Sequence, residues 1–133
     1  MTRRAGSVRG LHLQLGTPGE TKLVKCVCGH VLDVLVDVRR GSPTFLQHVT
    51  VDLAAGGSAV LIPPGVAHGF QTLADDTELI YHHSAPYRPE DERGLRYDDP
   101  RIAIDWPLPP ADVSEKDQRW ALVDDAFEGY EIP

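Results

Sequence analysis

A chain of 133 residues in which 41% of the side chains are apolar can bury a core of its own without a metal or a disulfide. Its formal net charge of −7 excludes unspecific nucleic-acid binding, which needs basic surface, yet leaves room for an anionic small molecule at a local cluster of cations. No apolar run approaches membrane-spanning length, and Arg3 and Arg4 lead into Ala-Gly-Ser rather than an apolar signal region, so one cytoplasmic domain over residues 1–133 is expected.

In chain order, residues 1–8 are expected to be loose. The stretch RGLHLQ (9–14) then reads as a strand. Alternation puts His12 and Gln14 on one face and Leu11 and Leu13 on the other, with Arg9 at the entrance. KLVKCVC (22–28) is the second strand; its spacing points Cys26 and Cys28 the same way, as two buried thiols of a reducing compartment. The CGH junction is tight enough for a hairpin into VLDVLVDV (31–38), where Asp33 is a carboxylate in an otherwise buried strand. FLQHVTVDL (45–53), SAVLIP (58–63), GFQTL (69–73) and ELIYHHSA (78–85) follow, bounded by RRGSP, AAGG, PPG and ADD. Many short strands between such turns predict an all-β sandwich or barrel. On the last of them Tyr81 and His83 share a face and His82 takes the other; His30 and His48 are read as non-functional. The proline-rich DWPLPPADV (105–113) is a surface-hugging connector, and Ser114 with Asp117 three residues on predicts a short helix over 115–124 before an acidic tail.

Two spacings carry chemistry. In GSAVLIPPGVAH, Gly57, Pro63, Gly65 and His68 resemble the second motif of the cupin superfamily, a double-stranded β-helix or jelly-roll barrel. The first cupin motif, His-x-His with a downstream glutamate and glycine, has its counterpart in His12, Gln14, Lys22 and Gly29. The lysine stands where a metal-binding cupin has its glutamate. An ammonium has no lone pair and repels a cation, so no metal is expected. The same group suits a developing oxyanion in a partly dry barrel.

With RGLHLQ, KLVKCVCGHVLDVLVDVRRGSPTF, IPPGVAHGF, IYHHSAPYRPEDERGLRYDDPRIAIDWPL and SEKD taken together, the chain resembles the dTDP-4-dehydrorhamnose 3,5-epimerase family from residue 8 to about 124. The resemblance implies a metal-free cupin epimerase, a homodimer, acting on a nucleotide-diphosphate sugar, dTDP-linked, with a 4-keto-6-deoxyhexose. It implies His12 as general base, Asp117 as the carboxylate that orients it, Lys22 as holder of the enolate oxygen and Tyr81 as the acid that returns a proton. Arg9, whose planar fork suits a diphosphate, and Gln14, His68 and Tyr87 are the expected substrate-binding residues. Asp33 is a second candidate partner for His12, and the terminal-helix cap is an alternative use for Asp117.

Members of that family carry an arm ahead of this strand, whereas eight residues precede Arg9 here. The arm's contacts to nucleotide and sugar are therefore expected to be absent or supplied elsewhere. Pro86 in SAPY replaces an aromatic found in many members, which could restrict the reaction to C3 or C5. The alternatives are an isomerase of a different carbonyl compound and a non-catalytic sugar-nucleotide or small-ligand binding cupin.

Overall fold

The computed structural model describes every residue except 1, 3 and 18. Among the described residues there are eight strands: β1 (Val8–Gln14), β2 (Lys22–Cys28), β3 (His30–Asp37), β4 (His48–Ala54), β5 (Ala59–Ile62), β6 (Val66–Thr72), β7 (Glu78–His83) and β8 (Glu92–Gly94). They form a five-stranded sheet in the order β4-β3-β6-β1-β8 and a three-stranded sheet in the order β5-β2-β7. All the strand pairings are antiparallel. This is the two-sheet cupin jelly roll that the motif spacing implies. Among the described residues no helix is long and apolar enough to cross a membrane.

The strand patterns show why the five-stranded sheet sits in the middle. Leu11 and Leu13 of β1 pack with Val34 and Val36 of β3 and with Ile102, and Trp106, Phe127 and Tyr130 of the C-terminal segment close over them. On the other face Val31 of β3 and Phe70 of β6 pack with Val24, Cys26 and Ile62 of the smaller sheet. Strand β3 is therefore apolar on both faces, and it reads as a nearly continuous hydrophobic run. Each such side chain contributes about 1.5–3 kcal/mol by leaving water. His12, Gln14, Lys22 and Tyr81 face the space between the sheets, where one end stays polar and open.

The structure corrects the sequence reading in several places. The CGH junction is not a hairpin, because β2 and β3 lie in different sheets. Gly29 turns the corner at φ 84°, and a Cβ there would lie 2.3 Å from Thr77 Oγ1. Cys26 is buried but Cys28 is exposed, because a register shift against β7 falls between them. A thiol reagent should accordingly titrate Cys28 in the folded protein and Cys26 only after denaturation; two fast thiols in the native state would contradict this.

The described residues of the N-terminus are tied down rather than loose. Thr2 bridges to Thr77, the Gly6 N–H donates to Thr72 at 2.7 Å, and Ser7 is fully buried; residues 1 and 3 of that stretch lie outside the described residues. Strand β4 begins at His48 because residues 44–47 form a turn, in which the Gln47 N–H donates to the Thr44 carbonyl at 2.9 Å and Leu46 sits at φ 63°. The terminal helix α1 is a single turn, Glu115–Gln118. One turn does not propagate alone, and beyond it the Val123 N–H is drawn to Asp99 Oδ2 at 2.7 Å. The short β8, which has no clear strand signal, is held by pairing with β1.

Candidate active site

Strands β1, β2, β6 and β7 deliver their polar residues to the open end of the space between the sheets. Two cavities adjoin there, of about 470 and 350 Å³, and His12, Lys22 and His83 border both. Gln14, Glu20, Tyr87 and Glu92 complete the larger one; Arg9, His68 and Tyr81 line the smaller. Arg9 and His12 are three apart, which simple alternation would put on opposite faces. The register of β1 against β6 shifts between them, and this irregularity turns both toward the cleft.

His12 lies opposite His68 on the neighbouring strand, and each imidazole is backed by a buried carboxylate. His12 Nε2 donates to Asp117 Oδ1 at 2.5 Å. An ionised carboxylate only accepts, so Nε2 carries the proton and Nδ1 is left as a lone-pair acceptor. Asp117 also accepts from the Gly10 N–H at 3.1 Å and the Trp120 Nε1–H at 3.2 Å. The carboxylate does not cap α1; that is done by Ser114 Oγ, which accepts from the Asp117 N–H. Asp33, read as an alternative partner of His12, instead accepts from His68 Nε2 at 2.6 Å.

Burial by itself would raise the Asp117 carboxyl, but donation from His12, the charge of that ring and the Gly10 and Trp120 N–H groups outweigh it and hold the group down to about 2. A depressed carboxyl stabilises the fold above its ordinary value and loses that contribution as pH falls through the folded one. Asp117 should thus supply about 2 kcal/mol that disappears between about pH 4 and pH 2. Chemical denaturation of the protein and Asp117→Asn across that window checks this; parallel stability curves would refute it.

Lys22 is almost completely buried, with Nζ 3.6 Å from Glu20 Oε1. Burial lowers its pKa, and the Glu20 carboxylate works against that. Tyr81 is pushed up by burial and by the charge of Asp33, offset in part by Arg9, so it stands as a protonated phenol. Arg9 is partly engaged: Nη2 lies 3.1 Å from Asp112 Oδ2, while Nη1 donates to the carbonyls of Val8 and Asp112. Gln14 is occupied at both ends of its amide. It donates to the Pro86 carbonyl and accepts from the Arg88 N–H, each at 2.9 Å, and so holds the loop that carries Tyr87 against β1. Tyr87 is exposed and donates to Glu92 Oε2 at 3.0 Å. His83 faces the cleft, as its spacing from Tyr81 predicts, and His82 does not border either cavity.

Glu20, Glu92 and Trp120 belong to this site and were not singled out from the sequence. Glu20 stands two residues before Lys22, so a strand alternation extended backward could have found it. Glu92 accepts from Lys116 Nζ at 2.8 Å, and Trp120 meets His12 edge-on with ring centres 6.3 Å apart. Neither has a local signal. Gly94 admits the indole, since a Cβ there would lie 2.1 Å from Trp120 Cε2. Among the described residues no cluster of three or more His, Cys, Asp or Glu side chains is arranged to hold a metal ion.

The sequence model of the dTDP-4-dehydrorhamnose 3,5-epimerase family matches residues 1–125. The chain belongs to this family. The dTDP-4-dehydrorhamnose 3,5-epimerase of Sinorhizobium fredii is 47% identical over 119 residues, covering 88% of this chain and 61% of the relative. The chain thus spans about three fifths of the length of the curated relatives it matches first. Among solved structures, the family's Bacillus anthracis enzyme with TDP and PPi bound superposes with a TM-score of 0.88 at 36% identity, covering 92% of this chain and 70% of that one. The dTDP-6-deoxy-D-glucose-3,5-epimerase of Legionella pneumophila, in complex with dTDP-4-keto-L-rhamnose, gives 0.86 at 39% identity, covering 98% and 71%.

Proposed function

We propose that the chain is a cofactor-independent epimerase that inverts carbon next to the ketone of a dTDP-linked 4-keto-6-deoxyhexose, at C3, C5 or both. The observation that carries this reading is the pairing of His12 with the buried Asp117 carboxylate in one cleft with a desolvated ammonium, Lys22, and a protonated phenol, Tyr81. A carbon beside a ketone is weakly acidic, and its deprotonation needs a base, a donor for the enolate oxygen and an acid on the opposite face.

His12 Nδ1 takes the proton, and Asp117 stabilises the imidazolium that results. Lys22 Nζ donates to the enolate oxygen. Tyr81 returns a proton to the carbon from the other side. His68, held by Asp33, offers its other ring nitrogen to a sugar hydroxyl, and Arg9 stands where it can meet a diphosphate with the donors Asp112 leaves free. Tyr87 lines the larger cavity, while Gln14 serves it by fixing that loop rather than through contact alone. The TDP and PPi held by the B. anthracis relative, and the keto sugar held by the L. pneumophila relative, support a dTDP-linked substrate. The protein is further read as a cytoplasmic homodimer, the state the family resemblance implies; sedimentation at micromolar concentration tests the stoichiometry.

Incubation with dTDP-4-keto-6-deoxyglucose in heavy water tests the function. Deuterium appearing at C3 alone identifies a single-site epimerase, and at C3 and C5 a double one. Binding without exchange would replace the proposal with a sugar-nucleotide binding module. Neither binding nor exchange would leave an isomerase of a different carbonyl substrate.

A further inference from the structure

Tyr81 touches two imidazoles of different character. His68 meets it edge-on, with ring centres 5.9 Å apart, but is buried and committed to Asp33. His83 stacks on its other side at 5.9 Å and 19° between planes, and its side chain is 48% exposed. Behind His83 stands Glu20, itself buried, with Oε2 3.4 Å from His83 Nδ1 and Oε1 3.6 Å from Lys22 Nζ. Lys22 is also the cross-strand partner of His83. The charged or titratable groups around His83 are thus Glu20 from the β1–β2 loop, Lys22 from β2 and Tyr81 from its own strand, with His12, Arg9, His68, Glu92 and Tyr87 across the shared cleft. Nothing in the roles above uses His83 or Glu20.

We propose that His83, held by Glu20, is the proton relay between bulk water and Tyr81. The inference rests on the epimerase reading, in which Tyr81 gives up its phenolic proton once for each carbon it reprotonates. The phenolate left behind is desolvated and faces the negative charge of Asp33, so it must be neutralised before the next turnover. The His83 imidazolium passes its N–H proton to that phenolate, directly or across one water, which regenerates the phenol and leaves a neutral imidazole. The exposed imidazole then takes a proton from solvent or from a buffer acid, with the Glu20 carboxylate beside it. The proton that His12 removed from the substrate returns to solvent by way of its own partly exposed ring, so protons balance over the cycle.

The test compares His83→Ala with the unmodified chain on dTDP-4-keto-6-deoxyglucose. With enzyme in excess, the first turnover, read as inversion of the first carbon, should proceed within about twofold of the unmodified rate, since the phenol is already loaded for that one transfer. Steady-state turnover should fall roughly tenfold, less than the ~10²–10⁴-fold for a group that acts in the chemical step, because only reloading of the phenol is slowed. It should climb again with imidazole concentration, because removing a half-exposed ring leaves a place for a small buffer acid. His83→Gln, which keeps a polar side chain of similar reach, should show the same buffer dependence. Steady-state rates equal to the unmodified chain, or an equal loss in the first turnover that imidazole does not restore in either variant, would overturn the relay. If the unmodified chain itself gives no deuterium exchange, the epimerase reading fails first; an active chain with an indifferent His83→Ala variant refutes the relay alone.

Discussion

His12→Ala is expected to reduce deuterium exchange beside the ketone by about 10³-fold or more, near the upper part of the range for a lost general base. The fold should survive the change. His12 is partly exposed and makes one hydrogen bond to Asp117, which keeps the Gly10 and Trp120 N–H donors when the ring is gone. The loss of that bond should lower stability by about 1–2 kcal/mol. Circular dichroism and a thermal melt establish that the variant is folded; the wash-in rate decides the rest. An active His12→Ala protein would remove the assigned base. Asp117→Asn offers a second view of the same pair. It keeps an oxygen acceptor while losing the charge that stabilises the imidazolium, so it should be impaired with substrate binding nearly unchanged.

Lys22→Met should slow the reaction by about 10²–10³-fold, the magnitude found when one donor to a developing oxyanion is removed. Methionine fills a similar volume, but it leaves Glu20 buried without its ammonium. The variant should therefore be made alone and together with Glu20→Gln, and persistence of the loss in the pair assigns it to the oxyanion. The pH profile is a sharper test. Burial lowers the Lys22 pKa from the ordinary 10.5, so the ammonium is lost at a lower pH than in a solvated lysine. Activity that needs the charged form should then decline as pH rises, before ordinary lysines titrate. Glu20 favours the ammonium, so Glu20→Gln should move that alkaline limb to still lower pH, and Lys22→Arg should abolish it. A profile that stays flat through the alkaline range in the unmodified chain would show that Lys22 does not carry the charge the reaction needs.

Strand alternation places Lys22 on an inward face and Leu23 on an outward one, and Leu23 is indeed exposed. The same pattern pairs Tyr81 with His83. The motif spacing around His12 and His68 implies the jelly roll and brings the two histidines to one space. Alternation was misleading wherever the backbone leaves regular pleating. The shift between Arg9 and His12 brings Arg9 to the cleft, and the shift between Cys26 and Cys28 sends one thiol inside and the other out. A local pattern does not report such a shift, because it is set by the neighbouring strand.

By itself, the sequence determined which residue types line the inner faces, and above all that a lysine stands where a metal-binding cupin has its carboxylate. Only the tertiary structure decided which carboxylate serves which imidazole. Asp117 reaches His12 across 105 positions of chain, while Asp33, a plausible partner on sequence grounds, goes to His68. It also decided that Glu20 stands between Lys22 and His83, and that Glu92 and Trp120 complete the walls around His12. The reason is physical: periodicity reports the side of an element on which a residue lies, but partners across two sheets and a C-terminal strap are selected by how those layers close on one another.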